Sequence, residues 1–129
     1  MKTKQIMTLL FAALFVCVSG HIQAQKADWK EMHAFHSVMS KTFHPAEEGN
    51  LQPVKDNAKE LVAKAKSWQS STVPVGFNAS KSKEILKRLV TKCTAIEAAV
   101  KANKSNDSLK TMITEAHDIF HELMEKCRE

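Results

Sequence analysis

Glycine and proline are scarce in this chain, three of each in 129 residues. That scarcity removes most of the turn chemistry on which short strands joined by tight hairpins depend. Strand-like alternation of apolar and polar residues is missing, and so are internal repeats and low-complexity tracts. Past the N-terminus, no stretch approaches the roughly 20 consecutive apolar residues of a membrane-spanning helix. Cysteine occurs only as Cys17, Cys93 and Cys127, and no serine motif stands out. Cys93 falls on an apolar stripe, so nucleophilic catalysis has no evident seat.

What the N-terminus does contain is a secretory pattern. Lys2 and Lys4 precede the apolar run Met7 to Val18, and small and polar residues lead on to Ala24 and Gln25. This is the layout of a signal peptide cleaved near Ala24 or Gln25. Cys17 lies inside the apolar run and not just after it, which argues against a lipid-anchored cysteine. The expectation is a periplasmic or secreted protein, with residues 1–25 as signal and 26–129 as one domain, and no membrane span after cleavage. Lys2 and Lys4 supply two of the five net positive charges and no acid lies among those residues, so the mature chain carries +3. A balance of that size, with Lys and Glu interleaved, argues against nucleic acid as a partner and for a solvated helical surface.

Apolar residues recur every three or four positions in four segments, the spacing of one helix face. In the first, Trp29, Met32, Phe35, Met39 and Phe43 predict a helix that Pro45 ends at Phe43 or His44, because a residue before proline disfavours helical angles. A polar connector runs from Ala46 to Gln52, and Pro53 opens a second helix whose stripe is Val54, Ala58, Leu61, Val62, Ala65 and Trp68. Gln69 to Ser80, with Ser70, Ser71, Pro74, Gly76 and Asn78, reads as a long connection, either a lid or a crossover. Ser80 or Ser82 is the expected cap of a third helix carrying Ile85, Leu86, Leu89, Val90, Cys93, Ile96 and Val100, which ends near Lys101. After a turn over Asn103 to Asn106, Asp107 is the expected cap of a fourth helix carrying Leu109, Met112, Ile113, Ala116, Phe120, Leu123 and Met124. Four amphipathic helices with no strands predict an all-α up-down-up-down four-helix bundle.

The histidines are unevenly placed. His21 belongs to the signal, His33, His36 and His44 to the first helix, and His117 and His121 to the last. At about 100° per residue, His33, His36 and His44 fall within roughly 80° of one another, with His36 beside the core stripe. His117 and His121 are four residues apart and project from the same side, a spacing that chelates one ion. Counting through antiparallel helices sets His36 level with Ile119 and His33 level with Glu122, to within about one turn or 5 Å. His44 falls roughly 12 Å from the level of His36, too far to share its ion. A metal centre at His33, His36, His117 and His121 is therefore expected. Met32, Met39 and Met124 are candidate thioether donors; histidine with methionine suits copper or haem iron, histidine with Glu31, Asp118 or Glu122 suits zinc. His117-Asp118-Ile119-Phe120-His121 departs from the zinc-protease pattern, because Asp118 stands where a glutamate base is needed.

The same register keeps the cysteines apart. Cys93 comes level with Glu115, which leaves Cys127 roughly 18 Å further along the axis, whereas a disulfide needs Cα atoms within about 7 Å. No intrachain bridge is expected; Cys127 is left as a ligand, a tail thiol or an intermolecular bridge.

With His121 near the end of the last helix, followed by Lys126 and Arg128, and Met32 in the first, the chain resembles the four-helix-bundle cytochromes of the soluble b-type and the cytochrome c-prime type. That resemblance implies an exported electron-transfer bundle, with haem iron held by His121 and, in the b-type, by Met32; His36, from its place beside the core stripe, is a further candidate for holding the cofactor. No Cys-x-x-Cys-His is present, so the haem would be a non-covalent haem b. The surplus histidines keep a copper or zinc ion in contention, for electron transfer or metal handling with a redox or protein partner. The competing expectation is a metal-free periplasmic interaction module that meets its partner through the Gln69 to Ser80 loop or an apolar flank.

Overall fold

The computed structural model describes residues 28–129, so the signal peptide expected over residues 1–25 lies outside the described residues. Four helices follow one another: α1 (Lys30–Glu47), α2 (Gln52–Ser70), α3 (Ala79–Lys101) and α4 (Asn106–Lys126). Each packs on its sequence neighbour and α4 returns to α1, which closes an up-down-up-down bundle. The α1–α4 side is the least closely packed of the four. The apolar stripes are what drive this arrangement: all six stripe residues expected on α2 are buried, as are Trp29, Met32, Phe35, Met39 and Phe43 of the first segment. On α3 and α4, Val90, Val100, Met112 and Met124 sit at the margins of the stripe and are partly buried against the core.

Several ends differ from expectation. Helix α1 runs through Pro45 to Glu47 instead of stopping at Phe43 or His44. Proline removes the bond to the carbonyl four residues back, but this close to the C-terminus the loss is small. The turn past Pro45 is held from both sides, by the buried Ala46 and by the amides of Glu48 and Asn50, both donating to the Pro45 carbonyl. Gly49, at φ +89°, makes the reversal that follows. The cap of α3 is Asn78, whose side chain accepts from the Lys81 amide, and neither Ser80 nor Ser82. Ser105 and not Asp107 caps α4, accepting from the Ser108 amide. Both true caps stand two to four residues before the expected ones, because the helices begin before their first large apolar residue.

Ser82 is buried inside α3, and its hydroxyl has no partner. A buried unpaired hydroxyl costs free energy that a methyl group in its place does not. Ser82→Ala is accordingly expected to leave stability unchanged or raise it by about 1 kcal/mol. Urea denaturation measures this, and a loss of more than about 1 kcal/mol would show that the hydroxyl is satisfied in solution.

The α2–α3 connection is shorter than expected, Ser71 to Asn78, and it folds back onto the bundle. Phe77 packs on Trp29 with ring centroids 5.1 Å apart, and Arg128 lies over the Phe77 ring, 5.6 Å from its centroid. The C-terminal tail is joined to this segment by backbone bonds: the Asn78 amide donates to the Cys127 carbonyl at 2.7 Å, and the Glu129 amide to the Gly76 carbonyl at 2.9 Å. Cys127 is therefore fully buried at the start of α3 and is not an exposed tail thiol. Cys93, fifteen residues further along α3, lies roughly 22 Å from that level. Among the described residues both thiols are free, and burial pushes the pKa of the Cys93 thiol up to about 12.

Candidate metal centre

The open α1–α4 side is where the histidines converge. On α4, His117 and His121 face α1, while Glu115 and Glu122, on the opposite flank, pair with Lys92 and Arg88 of α3. The residue spacing explains the division: positions 117 and 121 lie on one side of the Ala116–Phe120–Leu123 stripe and positions 115 and 122 on the other. The His117 ring stacks on buried Phe43 of α1, centroids 3.7 Å apart and planes 10° from parallel. His36 of α1 stacks in turn on Phe120 of α4, 5.1 Å apart and 1° from parallel. Each helix thus supplies one buried phenyl ring on which the other helix rests a histidine. The contact of His36 with Phe120 bears out the register, which set His36 level with Ile119.

Between His117 and His121 the Nε2 atoms are 3.2 Å apart, a hydrogen bond in which one ring donates and the other accepts. At least one of the pair is consequently neutral. The His117 pKa lies below its ordinary 6.5, chiefly because burial disfavours the charged ring and secondly because His121 stands beside it. Asp118 and Glu47 oppose that shift, and His44 adds to it weakly. The two nitrogens are held close, and that of half-buried His117 is biased toward the unprotonated form that a metal requires.

The other expected donors are distributed differently. His36 is exposed, not seated in the core, and its Nε2 is hydrogen-bonded to Ser40 Oγ at 3.2 Å. His33 points outward and is tied to Asp28 at 2.6 Å, away from the α4 pair. Its register with Glu122 brings the backbones level, but the side chain leaves the seam. His44, set aside on grounds of distance, lies close enough to His117 to bear on its charge, and it contacts Glu47 at 3.2 Å. Met32 is buried in the core beside α1's first turn. Among the described residues, no three of His, Cys, Asp and Glu are already gathered around one point.

No protein family, curated protein or solved structure matches this chain. The cytochrome likeness therefore rests on its residues, and these can be tested for fit. A haem occupies an apolar slot of roughly 300 Å³ or more. Between buried Met32 and exposed His121, the interior is filled by Phe35, Trp68 and Phe120, whose centroids lie 5.5 to 5.9 Å from one another. Open grooves lie instead between α3 and α4, one of about 620 Å³ walled in part by the ion-paired Arg88, Lys92, Glu115 and Glu122. The residues present do not fit a haem held by Met32 and His121.

Sequence reasoning missed Phe43 and Phe120 as parts of this centre, since both read as core positions. Their only signal was that each adjoins a histidine in sequence, Phe43 before His44 and Phe120 before His121. Glu47 was missed because the helix was expected to end before it.

Proposed function

We propose that this protein is an exported helical bundle that captures a divalent transition-metal ion, copper(II) or zinc(II), through His117 and His121. The observation that carries the reading is the 3.2 Å separation of the two Nε2 atoms. Two imidazole nitrogens bound to one ion at about 2.0–2.1 Å and near-tetrahedral angles stand roughly 3.3 Å apart. The pair is already at the bite of one ion, and a small rotation of the rings turns both lone pairs from each other toward it. Stacking on Phe43 restrains His117 and reduces the rotational freedom lost on binding. Two further imidazoles stand along the seam, His44 close enough to bear on the charge of His117 and His36 stacked on Phe120, and on leaving Ser40 His36 would serve as a third donor. The role that follows from a surface pair of this kind is carriage or buffering of the ion.

Calorimetric titration of the untagged mature protein with Cu²⁺ and with Zn²⁺ tests this. One ion per chain is expected, copper binding more tightly than zinc as imidazole sites generally dictate. Absence of stoichiometric binding for both ions overturns the reading.

A further inference from the structure

Charge is divided between the two halves of the bundle. Helices α2 and α3 carry ten basic and four acidic side chains, whereas α1 and α4 carry four basic and seven acidic. The division sharpens on the face that α2 and α3 share. At about 100° per residue, Lys55, Lys59 and Lys66 lie on the α3-facing outer flank of α2, and Lys83 and Lys87 on the outer face of α3 that adjoins α2. All five are exposed, and among the described residues none of them makes an ion pair. The acids of these helices look elsewhere. Glu60 pairs with Lys41 of α1, Asp56 accepts from Gln52 on its own helix, and Glu84 lines a groove toward Lys126 of α4. Only Glu97 adjoins the lysine face, where it pairs with Lys101 at 3.3 Å.

A second feature stands at the end of this face. Val75, at the tip of the α2–α3 connection, is 98 % exposed, and it is the one large apolar residue so exposed among the described residues. The segment around it is not loose: Phe77 is buried, Asn78 and Gly76 are bonded to the tail, and the Trp29 indole donates to Ser71 Oγ at 2.7 Å. A fixed apolar tip next to unpaired lysines is the arrangement that suits a bilayer interface, where the side chain leaves water and the ammonium groups meet headgroup phosphates.

We infer that the loop end of the α2–α3 face docks on an anionic phospholipid surface, Val75 entering the interface while Lys66, Lys83 and their neighbours meet the headgroups. Lysine is a point charge suited to a dense, diffuse layer of anions. A polynucleotide partner would favour aromatic rings to stack on bases and free arginines to fork onto phosphates. This face offers no exposed ring, since the aromatic side chains are interior, and of the two arginines Arg88 is committed to Glu122 while Arg128 lies over the Phe77 ring. The inference is independent of the metal pair, which lies on the opposite side of the bundle.

Sedimentation of the full mature chain with vesicles tests it. Binding is expected to vesicles containing half phosphatidylglycerol and not to pure phosphatidylcholine, and to weaken as salt rises from 50 to about 200 mM. Each lysine near an anionic leaflet strengthens binding roughly fivefold, so Lys66→Glu with Lys83→Glu is expected to lower the partition at least tenfold, and Val75→Asp to lower it severalfold. All three positions are exposed, so these variants keep the helical circular dichroism. Lys104→Glu with Lys110→Glu, an equal change in net charge around the start of α4 at the far end of the bundle, is expected to keep most of the binding. Failure to bind anionic vesicles, equal loss in the far-end control, or stronger retention by a single-stranded polynucleotide than by the vesicles each overturns the inference.

Discussion

Trp68→Ala is expected to lower the unfolding free energy by about 3–5 kcal/mol, the range for removing a large buried aromatic side chain. A domain of this size is stable by roughly 5–15 kcal/mol in all, so the variant stands close to unfolding. Trp68 is fully buried and holds together rings from three other places: Trp29 ahead of α1 at 5.6 Å, Phe35 within α1 at 5.5 Å and Phe120 of α4 at 5.8 Å. Removing it leaves a cavity that all of these line, and each is anchored in a separate helix or loop, so the hole cannot close without moving a whole element. One effect works the other way. The Trp68 Nε1–H is buried without a partner, so the native ring already carries an unpaid desolvation cost. Trp68→Phe, which keeps most of the ring and removes that donor, is for this reason expected to lose under half as much as the alanine variant. Urea unfolding followed by circular dichroism distinguishes the two, and an alanine variant within 1 kcal/mol of wild type would mean that the cluster collapses freely.

That cluster also marks the boundary of what the sequence discloses. Trp29, Phe35, Trp68 and Phe120 are each legible as core because each sits on a three-or-four spacing within one helix, and burial follows from the stripe. Phe77 is not legible, because its burial depends on a chain reversal that brings it to Trp29 and on a tail that reaches it from Arg128, fifty-one positions later. Local spacing carries no information about such a contact. Pro45 shows the converse: a strong local signal for a helix end is overridden by the packing of Ala46 against the core and by the amides that close the last turn. In the candidate metal centre, the pairing of His117 with His121 was legible since both side chains ride on one helix turn. The choice of partners across the seam was not. The register was correct to about one residue at His36, yet the direction of a side chain from its helix decides contact, and that direction sends His33 to Asp28 and brings Glu47 and His44 toward His117.

His121→Ala is expected to weaken Cu²⁺ binding by at least about 100-fold at pH 7.5. Losing only an outer partner of a metal ligand costs 10–100-fold, and here one of two chelating nitrogens is lost. His117→Ala is expected to do the same, His36→Ala to have a smaller effect as a third donor taken from Ser40, and His33→Ala none. The pH dependence follows from which protons must leave. An imidazole binds a metal only when neutral, so affinity falls as pH drops and protons compete for the nitrogens. Because burial and the neighbouring His121 hold the His117 pKa below 6.5, that nitrogen stays available further into the acid range than in a free histidine. The decline in affinity is therefore expected to start below pH 6.5 for the His117 contribution. The same shift bears on the metal-free fold with a definite sign. Between the unfolded value near 6.5 and the lower folded one, the unfolded chain takes up a proton that the folded chain refuses, so stability is complete above pH 6.5 and declines as pH falls through the folded pKa. Copper steepens this acid sensitivity, since ion and proton compete for one nitrogen and the stabilisation that the bound ion gives is lost as the pH falls. Thermal unfolding at pH 7.5 and 5.5, with and without one equivalent of Cu²⁺, reads both effects: a metal-induced rise in Tm that is large at pH 7.5, smaller at 5.5 and absent in His121→Ala. A rise that persists in His121→Ala, or that is the same at both pH values, would assign the ion to other side chains.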